Sequence, residues 1–173
     1  MSAYSDIIIR RAGIADVPAL ALAARCLFEE AFGPDNDAAV LRDYLDAAFT
    51  PEVLSREIVE DGSSFLVATD GSDIVAYSRV RRNPEADEWL GPVHIEIHRF
   101  YVYKSHHGTG LADRLMDAVL TSVASGCWIW LGVWEKNPRA IRFYQRYGFE
   151  TFAQHPFRLG TEVQNDLLMR RRR

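Results

Sequence analysis

Two stretches of the chain contain the residue types best suited to chemistry. The first runs from His107 to Ala112, reads His-Gly-Thr-Gly-Leu-Ala, and separates a strand-like run, Val93–Val102, from a helix-like run that begins at Leu111. The first amides of a helix have no partner inside it and carry partial positive charge, so they bind anions. Glycine lets a bulky phosphate approach such amides because it has no Cβ atom. The stretch predicts a phosphate-binding loop, with a glycine turn needed only for chain geometry as the alternative.

The second stretch, Trp130–Phe149, predicts a strand followed by a helix. Asn137 is a good N-cap, Pro138 is a good first helical residue, and Gly148 suits the left-handed end of a helix. Tyr144 lies inside this helix and offers a phenolic hydroxyl close to the preceding strand. A tyrosine that only packs in the core beside Phe143 is the alternative.

Together the two stretches resemble the GNAT superfamily of acyl-CoA-dependent N-acetyltransferases. Tyr101-Val102 followed by Gly108-Thr109-Gly110-Leu111-Ala112 matches the pyrophosphate-binding motif of that family. Asn137, Ala140-Ile141, Phe143-Tyr144 and Gly148-Phe149 match its second signature. His107 stands where the family usually has Gln or Arg, and the backbone amides that follow it do most of the phosphate binding.

A closer resemblance is to PaiA-type bacterial spermidine/spermine acetyltransferases. Its most distinctive part is the run Leu131-Gly132-Val133-Trp134-Glu135, and His155, Phe157, Gly160 and Gln164–Met169 add to it. The resemblance implies acetyl-CoA as acyl donor and a small amine, such as a polyamine, as acceptor. A peptide or protein amine as acceptor, or a non-catalytic acyl-CoA sensor, remain alternatives.

The resemblance also implies roles for individual residues. Two central strands, Val93–Tyr103 and Cys127–Trp134, would splay apart so that backbone groups of Phe100 and Val102 bind the pantetheine arm. Asn137 would bond the pantetheine amides, or would serve only as an N-cap. The implied cofactor-binding set is Phe100, Tyr101, Val102, His107, Gly108, Thr109, Gly110, Leu111, Ala112, Asp113, Asn137 and Tyr144.

Catalysis requires a proton donor and a proton acceptor. A phenol of pKa ~10 can protonate a departing thiolate of pKa about 8.5, which makes Tyr144 the candidate acid. The acceptor amine is mostly protonated at neutral pH, so a base must take its proton. Glu96 and His98 lie two apart on one strand and share a face, and Glu96 is the candidate base. An ion pair of Glu96 with Arg99, or a solvated surface pair, is the alternative.

The acceptor is expected to meet the early helices. From Glu29 to Asp61 the chain has ten acidic and two basic residues, which suits a cationic substrate. Amphipathic helices with solvated acidic faces are the alternative. Glu29, Glu30 and Asp35 are the candidate carboxylates, and Phe32, Tyr44 and Trp134 offer cation–π contacts.

Composition and length bound the remaining expectations. With 173 residues, 48% hydrophobic and 25% charged, the chain is typical of one soluble globular domain spanning residues 1–173. It has no apolar run long enough to span a membrane, and Cys26 and Cys127 lack metal-ligand spacing, so we expect reduced thiols, no metal and a cytoplasmic protein. The Arg170–Arg173 run is interpreted as a solubilising tail, without the basic stripe of a nucleic-acid-binding protein. Pairing at the C-terminal sheet edge would allow a homodimer.

Periodicity and turn residues predict an α/β fold with a mixed sheet, mostly antiparallel and twisted, and helices on both faces. The expected strands are Asp6–Arg11, Phe65–Thr69, Ile74–Arg82, Val93–Tyr103, Cys127–Trp134, Phe149–Phe157 and Asp166–Arg170. Helices are expected up to Phe32, over Ala38–Phe49, from Pro51, over Leu111–Ser125 and over Pro138–Tyr147, with a loop over Asn83–Pro92.

Overall fold

A sheet of seven strands organises the part of the chain that the structure describes, residues 7–159 and 162–173 of a computed structural model. Asp6, the predicted start of the first strand, and Gly160 of the closer resemblance lie outside these residues. The strands are β1 Ile8–Arg11, β2 Ser63–Asp70, β3 Asp73–Arg81, β4 His94–Val102, β5 Trp128–Trp134, β6 Glu150–Leu159 and β7 Glu162–Arg172. The helices are α1 Val17–Phe32, α2 Ala38–Ala48, α3 Pro51–Val59, α4 Asp87–Leu90, α5 Leu111–Ser122 and α6 Pro138–Arg146.

The strand order is β1-β2-β3-β4-β5-β7-β6, and β4–β5 is the one parallel pair among the described strands. The predicted mixed, mostly antiparallel sheet is therefore confirmed. The parallel pair is connected through α5, as a strand–helix–strand crossover requires.

Helices cover both faces of the sheet. On one face α1, α2 and α3 pack their apolar side chains against β2, β3 and β4, with Leu20, Leu27 and Phe65 fully buried. On the other face α5 and α6 pack against β4, β5 and β7, with Met116 and Ile129 at the centre. We call these the α1–α3 face and the α5–α6 face.

The helices begin where their sequences favour it. The Asp37 carboxylate accepts hydrogen bonds from the Ala39 and Val40 amides at the start of α2. The Thr50 hydroxyl accepts one from the Val53 amide at the start of α3, where Pro51 is the first helical residue. These caps satisfy amides that have no partner inside the helix.

The two central strands diverge, as predicted. β4 and β5 pair only where His94–Glu96 lies beside Trp128–Trp130, although both strands continue beyond that point. On its other side β4 has a bulge, because Arg99 pairs with Arg79 and Ile97 with Val80, which leaves His98 without a partner. The bulge and the divergence open one end of the sheet.

Three local predictions are corrected. The predicted loop Asn83–Pro92 contains α4, and α5 ends at Ser122 rather than Ser125. The interpretation of Arg170–Arg173 as a solubilising tail is wrong for most of the run, because β7 continues to Arg172. The guanidinium of Arg170 lies 4.7 Å from the Trp128 ring centroid, and Arg171 donates to the Tyr147 carbonyl at 2.5 Å. Arginine stems and guanidinium planes thus cover aromatic rings at this end of the sheet.

Among the described residues no helix combines the length and the apolar character needed to cross a bilayer. Cys26 and Cys127 are both free thiols, and burial raises the pKa of the Cys127 thiol.

Candidate active site

An open cavity of about 730 Å³ lies where β4 and β5 diverge. One end is formed by the loop after β4 and the start of α5, with Lys104, His107 and Ala112 in its wall. The other end is formed by α1, α2 and the β6–β7 hairpin, with Tyr44, His155 and Asp166 in its wall. We call these the loop end and the hairpin end.

The loop end has the geometry of an anion cradle. Gly108 and Gly110 adopt φ values of 79° and 84°, in the left-handed region, with open space where a Cβ atom would lie. Within the described residues the amides of Gly108, Gly110, Ala112 and Asp113 have no acceptor, whereas the Leu111 amide donates to the Thr109 hydroxyl at 3.3 Å. Four free amides at the start of α5 are suited to bind a phosphate group.

His107 connects this loop to the end of β4. Its Nε2 lies 3.0 Å from the Val102 carbonyl oxygen, so Nε2 carries the proton and donates it. Nδ1 accepts from the Arg139 guanidinium. Burial, then the charge of Arg139, lowers the pKa of His107, so the ring is neutral at physiological pH. Arg139 therefore supplies the positive charge here, and His107 acts as a bridge between β4 and α6.

The backbone of β4 presents free groups to the gap. The Tyr103 amide donates to the Val75 carbonyl of β3, and backbone groups alternate along a strand, so those of Phe100 and Val102 point toward β5. β5 does not pair with them at that level. Tyr101 has the opposite orientation: it pairs with Tyr77, and its ring lies on the α1–α3 face 6.4 Å from the Phe32 ring.

Asn137 and Asp113 are each partly engaged in local structure. The Asn137 Oδ1 atom caps α6 by accepting from the Ala140 amide at 3.1 Å, and its Nδ2 has no acceptor among the described residues. The Asp113 carboxylate accepts from the Tyr147 hydroxyl at 3.1 Å and pairs with Arg146. Thus Asn137 retains a donor for a ligand, whereas Asp113 offers only its amide.

Tyr144 lies on α6 between the two ends of the cavity. Its ring packs against Phe100, Phe143 and Phe149, and the side chain is 7% exposed and lines the cavity. Burial raises the pKa of its phenol, and its hydroxyl has no hydrogen-bond partner in the described part of the chain. The group is therefore protonated at neutral pH and free to donate.

Glu96 and His98 are on the wall of the cavity, on the α1–α3 face. Glu96 Oε2 accepts from Arg81 Nε at 2.7 Å and from Asn83 Nδ2 at 3.0 Å. The expected alternative, an ion pair of Glu96 with Arg99, is wrong because Glu96 pairs with Arg81 and Arg99 pairs with Glu57.

His98 contacts Arg79 through its Nδ1 at 3.2 Å. Burial, followed by the charges of Arg99, Arg81 and Arg79, lowers the pKa of His98 to about 2. The ring therefore stays neutral, and such a weakly basic imidazole is a poor proton acceptor.

The hairpin end is aromatic and acidic. Tyr44 stacks on Phe28 at 4.8 Å and meets Phe157 at 6.3 Å, and Phe32 lies 6.4 Å from Trp134. Glu30, Asp35 and Asp166 line the same cavity. Glu30 accepts from the Lys104 amide at 2.8 Å, so its carboxylate lies toward the loop end. Glu29, predicted to bind the acceptor, is exposed and lies outside the cavity wall, so its role stays a prediction.

Four of the ten acidic residues between Glu29 and Asp61 have structural roles. Glu57 and Glu60 pair with the buried Arg79, Asp46 pairs with Arg25, and Asp37 caps α2. The alternative, that these acidic residues lie on solvated helix faces, does not describe Glu57, whose side chain is largely enclosed. Of this segment Glu30 and Asp35 remain at the cavity.

Comparison with known proteins decides the family. A sequence model of the acetyltransferase (GNAT) family matches residues 22–149. This chain belongs to the GNAT family. A protein of Lactobacillus delbrueckii subsp. lactis, named an uncharacterized N-acetyltransferase in the pepI 3' region, is 30% identical to this GNAT protein over 158 residues, 90% of this chain and 91% of its own. The predicted family and enzyme class, an N-acetyltransferase, are therefore confirmed.

Two further comparisons concern the closer resemblance to PaiA-type spermidine/spermine acetyltransferases. The spermine/spermidine N(1)-acetyltransferase of Bacillus subtilis is 32% identical over 81 residues, 45% of this chain and 53% of its own. The crystal structure of PaiA N-acetyltransferase from Thermoplasma acidophilum in complex with coenzyme A superimposes with a TM-score of 0.75 over 100% of both chains at 18% identity. The second comparison confirms the GNAT fold.

Several residues of the cavity were not among the predicted site residues, and Asp166 is the one that bears on the acceptor. It was predicted only as the first residue of a strand, yet it faces the hairpin end beside Gly132. Since β7 inserts between β5 and β6, this neighbourhood depends on long-range strand order. The run Gln164–Met169, quoted for the closer resemblance, was the one available signal.

Proposed function

We propose that this GNAT protein transfers the acetyl group of acetyl-CoA to a primary amine, by direct attack within a ternary complex, and that the amine is a polyamine such as spermidine or spermine. The observation that carries the proposal is a single cavity with a phosphate cradle at one end, an acidic aromatic pocket at the other, and an unpartnered tyrosine between them. Each part of the reaction thus has a group suited to it.

The loop end fits coenzyme A. The free amides of Gly108, Gly110, Ala112 and Asp113 suit its pyrophosphate, and Lys104 and Arg139 add positive charge beside them. The free backbone groups of Phe100 and Val102 suit the amides of the pantetheine arm, together with Asn137 Nδ2. The Val102 carbonyl is already bonded to His107, so we expect that residue to contribute through its N–H group.

Tyr144 is the proposed acid. When the carbon–sulfur bond breaks, the sulfur must receive a proton, and a buried phenol without a competing partner is poised to give it. Its raised pKa keeps the phenol protonated, while the same apolar surroundings raise the proton affinity of a thiolate. Glu96 remains a candidate for the base, although Arg81 and Asn83 hold one of its oxygens.

The hairpin end supports a cationic acceptor. Aromatic rings of Phe32, Tyr44 and Trp134 can contact an ammonium group through their faces, and Asp35 and Asp166 supply negative charge. The partial similarity to the Bacillus subtilis spermine/spermidine enzyme supports a polyamine in particular. A lysine-bearing peptide would meet the same charges, and it is the second candidate acceptor.

The proposal is tested by release of CoA thiol from acetyl-CoA with a panel of amines: spermidine, spermine, lysine peptides, aminoglycosides and amino acids. Fast turnover confined to polyamines supports it. Turnover of peptides alone keeps the chemistry and refutes the polyamine. Tight acetyl-CoA binding without turnover of any amine supports a non-catalytic acyl-CoA sensor instead.

A further inference from the structure

Asp166 of β7 has an unusual position at the hairpin end. Its carboxylate lies directly over Gly132 of β5, where an added Cβ atom would be 3.3 Å from Asp166 Oδ2. Any larger residue at position 132 would have to displace the carboxylate, so glycine permits this close approach to the divergent strand. Both residues line the cavity.

The carboxylate of Asp166 has no hydrogen-bond partner in the described part of the chain, unlike the carboxylates of Glu96 and Glu30 in the same cavity. Glu96 is bonded to Arg81 and Asn83, and Glu30 to the Lys104 amide. Burial first, and then the negative charge of Glu135, raises the pKa of Asp166 to about 6, and His155 acts in the opposite direction. Such a group is ionised at neutral pH but accepts a proton more readily than an ordinary carboxylate.

We propose that Asp166 binds the ammonium group of the acceptor and takes its proton, so that Asp166 rather than Glu96 is the base of the reaction. The inference rests on the proposed function and names the residue that prepares the nucleophile. Glu96, with its oxygen held by Arg81, then helps to shape the opposite wall of the cavity.

Asp166 and Tyr144 together account for every proton that moves in the reaction. The acceptor enters as an ammonium ion and loses one proton to the Asp166 carboxylate, which later returns it to solvent. The neutral nitrogen then forms the carbon–nitrogen bond, and the carbon–sulfur bond breaks. Tyr144 gives its proton to the leaving sulfur and regains one from the nitrogen that has become an amide.

Other charged and titratable groups surround Asp166. They come from the strands beside it, from the loops after α1 and β5, and from β4 on the other side of β5: His155, Glu135, Lys136, Asp35, Glu96, His98 and Arg99. His98 stays neutral, and Arg99 is neutralised by Glu57. The pH dependence assigned to Asp166 must therefore be separated from those of Glu96, His155 and Asp35.

The test compares Asp166→Asn with Glu96→Gln, His155→Gln and Asp35→Asn. Two quantities are measured: kcat/KM for the best amine substrate between pH 5 and pH 9, and calorimetric binding of spermidine to the CoA complex. For the wild-type protein we expect kcat/KM to fall as pH drops below about 6, because Asp166 becomes protonated. Asp166→Asn should lose this limb of the profile, lower kcat/KM by roughly 10²-fold or more, and weaken spermidine binding.

In Glu96→Gln, His155→Gln and Asp35→Asn, kcat/KM should still fall below about pH 6, which we call the acid limb of the profile. Asp35→Asn should also raise KM for the amine. If Glu96→Gln or His155→Gln loses the limb while Asp166→Asn keeps it, the proposal is overturned. The wild-type protein could bind spermidine through Asp166 and yet show no turnover. That result would overturn the proposed function and support the ammonium site. Spermidine binding that Asp166→Asn leaves unchanged would overturn the ammonium site.

Gly132→Ala provides a second variant that keeps the carboxylate. Its Cβ atom would push Asp166 Oδ2 by a few tenths of an ångström, with Leu168 Cδ2 at 3.7 Å limiting other adjustments. We expect a higher KM for the amine with the acid limb retained. A KM equal to that of the wild-type protein would contradict the proposed close contact between the acceptor and this carboxylate.

Discussion

Replacement of Glu57 by alanine should destabilise the fold far more than loss of a surface ion pair. Glu57 on α3 holds two arginines of the central strands, Arg79 at 2.6 Å and Arg99 at 2.5 Å. The side chains of Arg79 and Arg99 are 2% and 8% exposed, so neither can regain its lost contacts from water. Without Glu57, Arg99 has no counter-ion in the described part of the chain, whereas Arg79 keeps Glu60.

The expected loss of folding free energy follows from the different situations of Arg79 and Arg99 once Glu57 is removed. Removal of one partner of a buried ion pair costs about 3–5 kcal/mol, and the lower end applies because Glu60 still neutralises Arg79. For a domain of this size, 3 kcal/mol corresponds to a fall in Tm of roughly 6–12 °C. Urea denaturation gives the free energy of unfolding directly, provided that the m-values of variant and wild type agree.

Asp46→Ala is the matched control. Asp46 pairs with Arg25 at 2.6 Å, but these side chains are 58% and 35% exposed, so the expected cost is about 0–1 kcal/mol. Glu57→Gln should lie between the two, since its one amide oxygen can keep the bonds made by Oε1 but loses the charge and the Arg99 bond to Oε2. If Glu57→Ala and Asp46→Ala cost the same, the argument that burial makes the Glu57 network essential is wrong.

Three further predictions concern the site and its supports. Tyr144→Phe should reduce turnover by roughly 10²-fold or more while the Kd for acetyl-CoA stays unchanged; a variant with full activity would exclude this residue as the acid. Gly110→Ala should lower the free energy of unfolding by about 1–2 kcal/mol, since φ is 84° there, whereas Gly13→Ala at φ −125° should not; equal effects would refute the strain. His98 should lower folding stability below pH 6.5 by about 1.4 kcal/mol per pH unit, because the unfolded chain protonates it and the folded chain, where its pKa is about 2, does not. His98→Gln should remove that share of the slope in denaturation curves recorded from pH 7.5 to pH 5, and an unchanged slope would contradict the assignment.

Local signals in the sequence were sufficient for the cradle. Gly108 and Gly110 after a strand, and Asn137-Pro138 before a helix, determine backbone conformations within a few residues, so the predicted loop and the start of α6 are observed. The predicted divergence of β4 and β5 came from the family resemblance, and the structure confirms it.

Long-range partners were harder to predict. The bulge at His98 changes which residues of β4 share a face, so the ion pair that Glu96 makes with Arg81 could not be read from alternation alone. The place of β7 between β5 and β6 brings Asp166 over Gly132 and draws Arg170–Arg172 into the sheet. The predicted homodimer and the cytoplasmic location stay predictions.

A single-turnover experiment tests the central claim most directly. The protein, one equivalent of acetyl-CoA and excess spermidine are mixed and quenched, and mass spectrometry follows the acetyl group on the amine and on the protein. We predict one acetylated amine for each CoA released and no acetyl group on the protein at any time, with both products absent when the amine is omitted. An acetylated protein that forms without amine, or CoA release without an acetylated amine, would contradict direct transfer in a ternary complex.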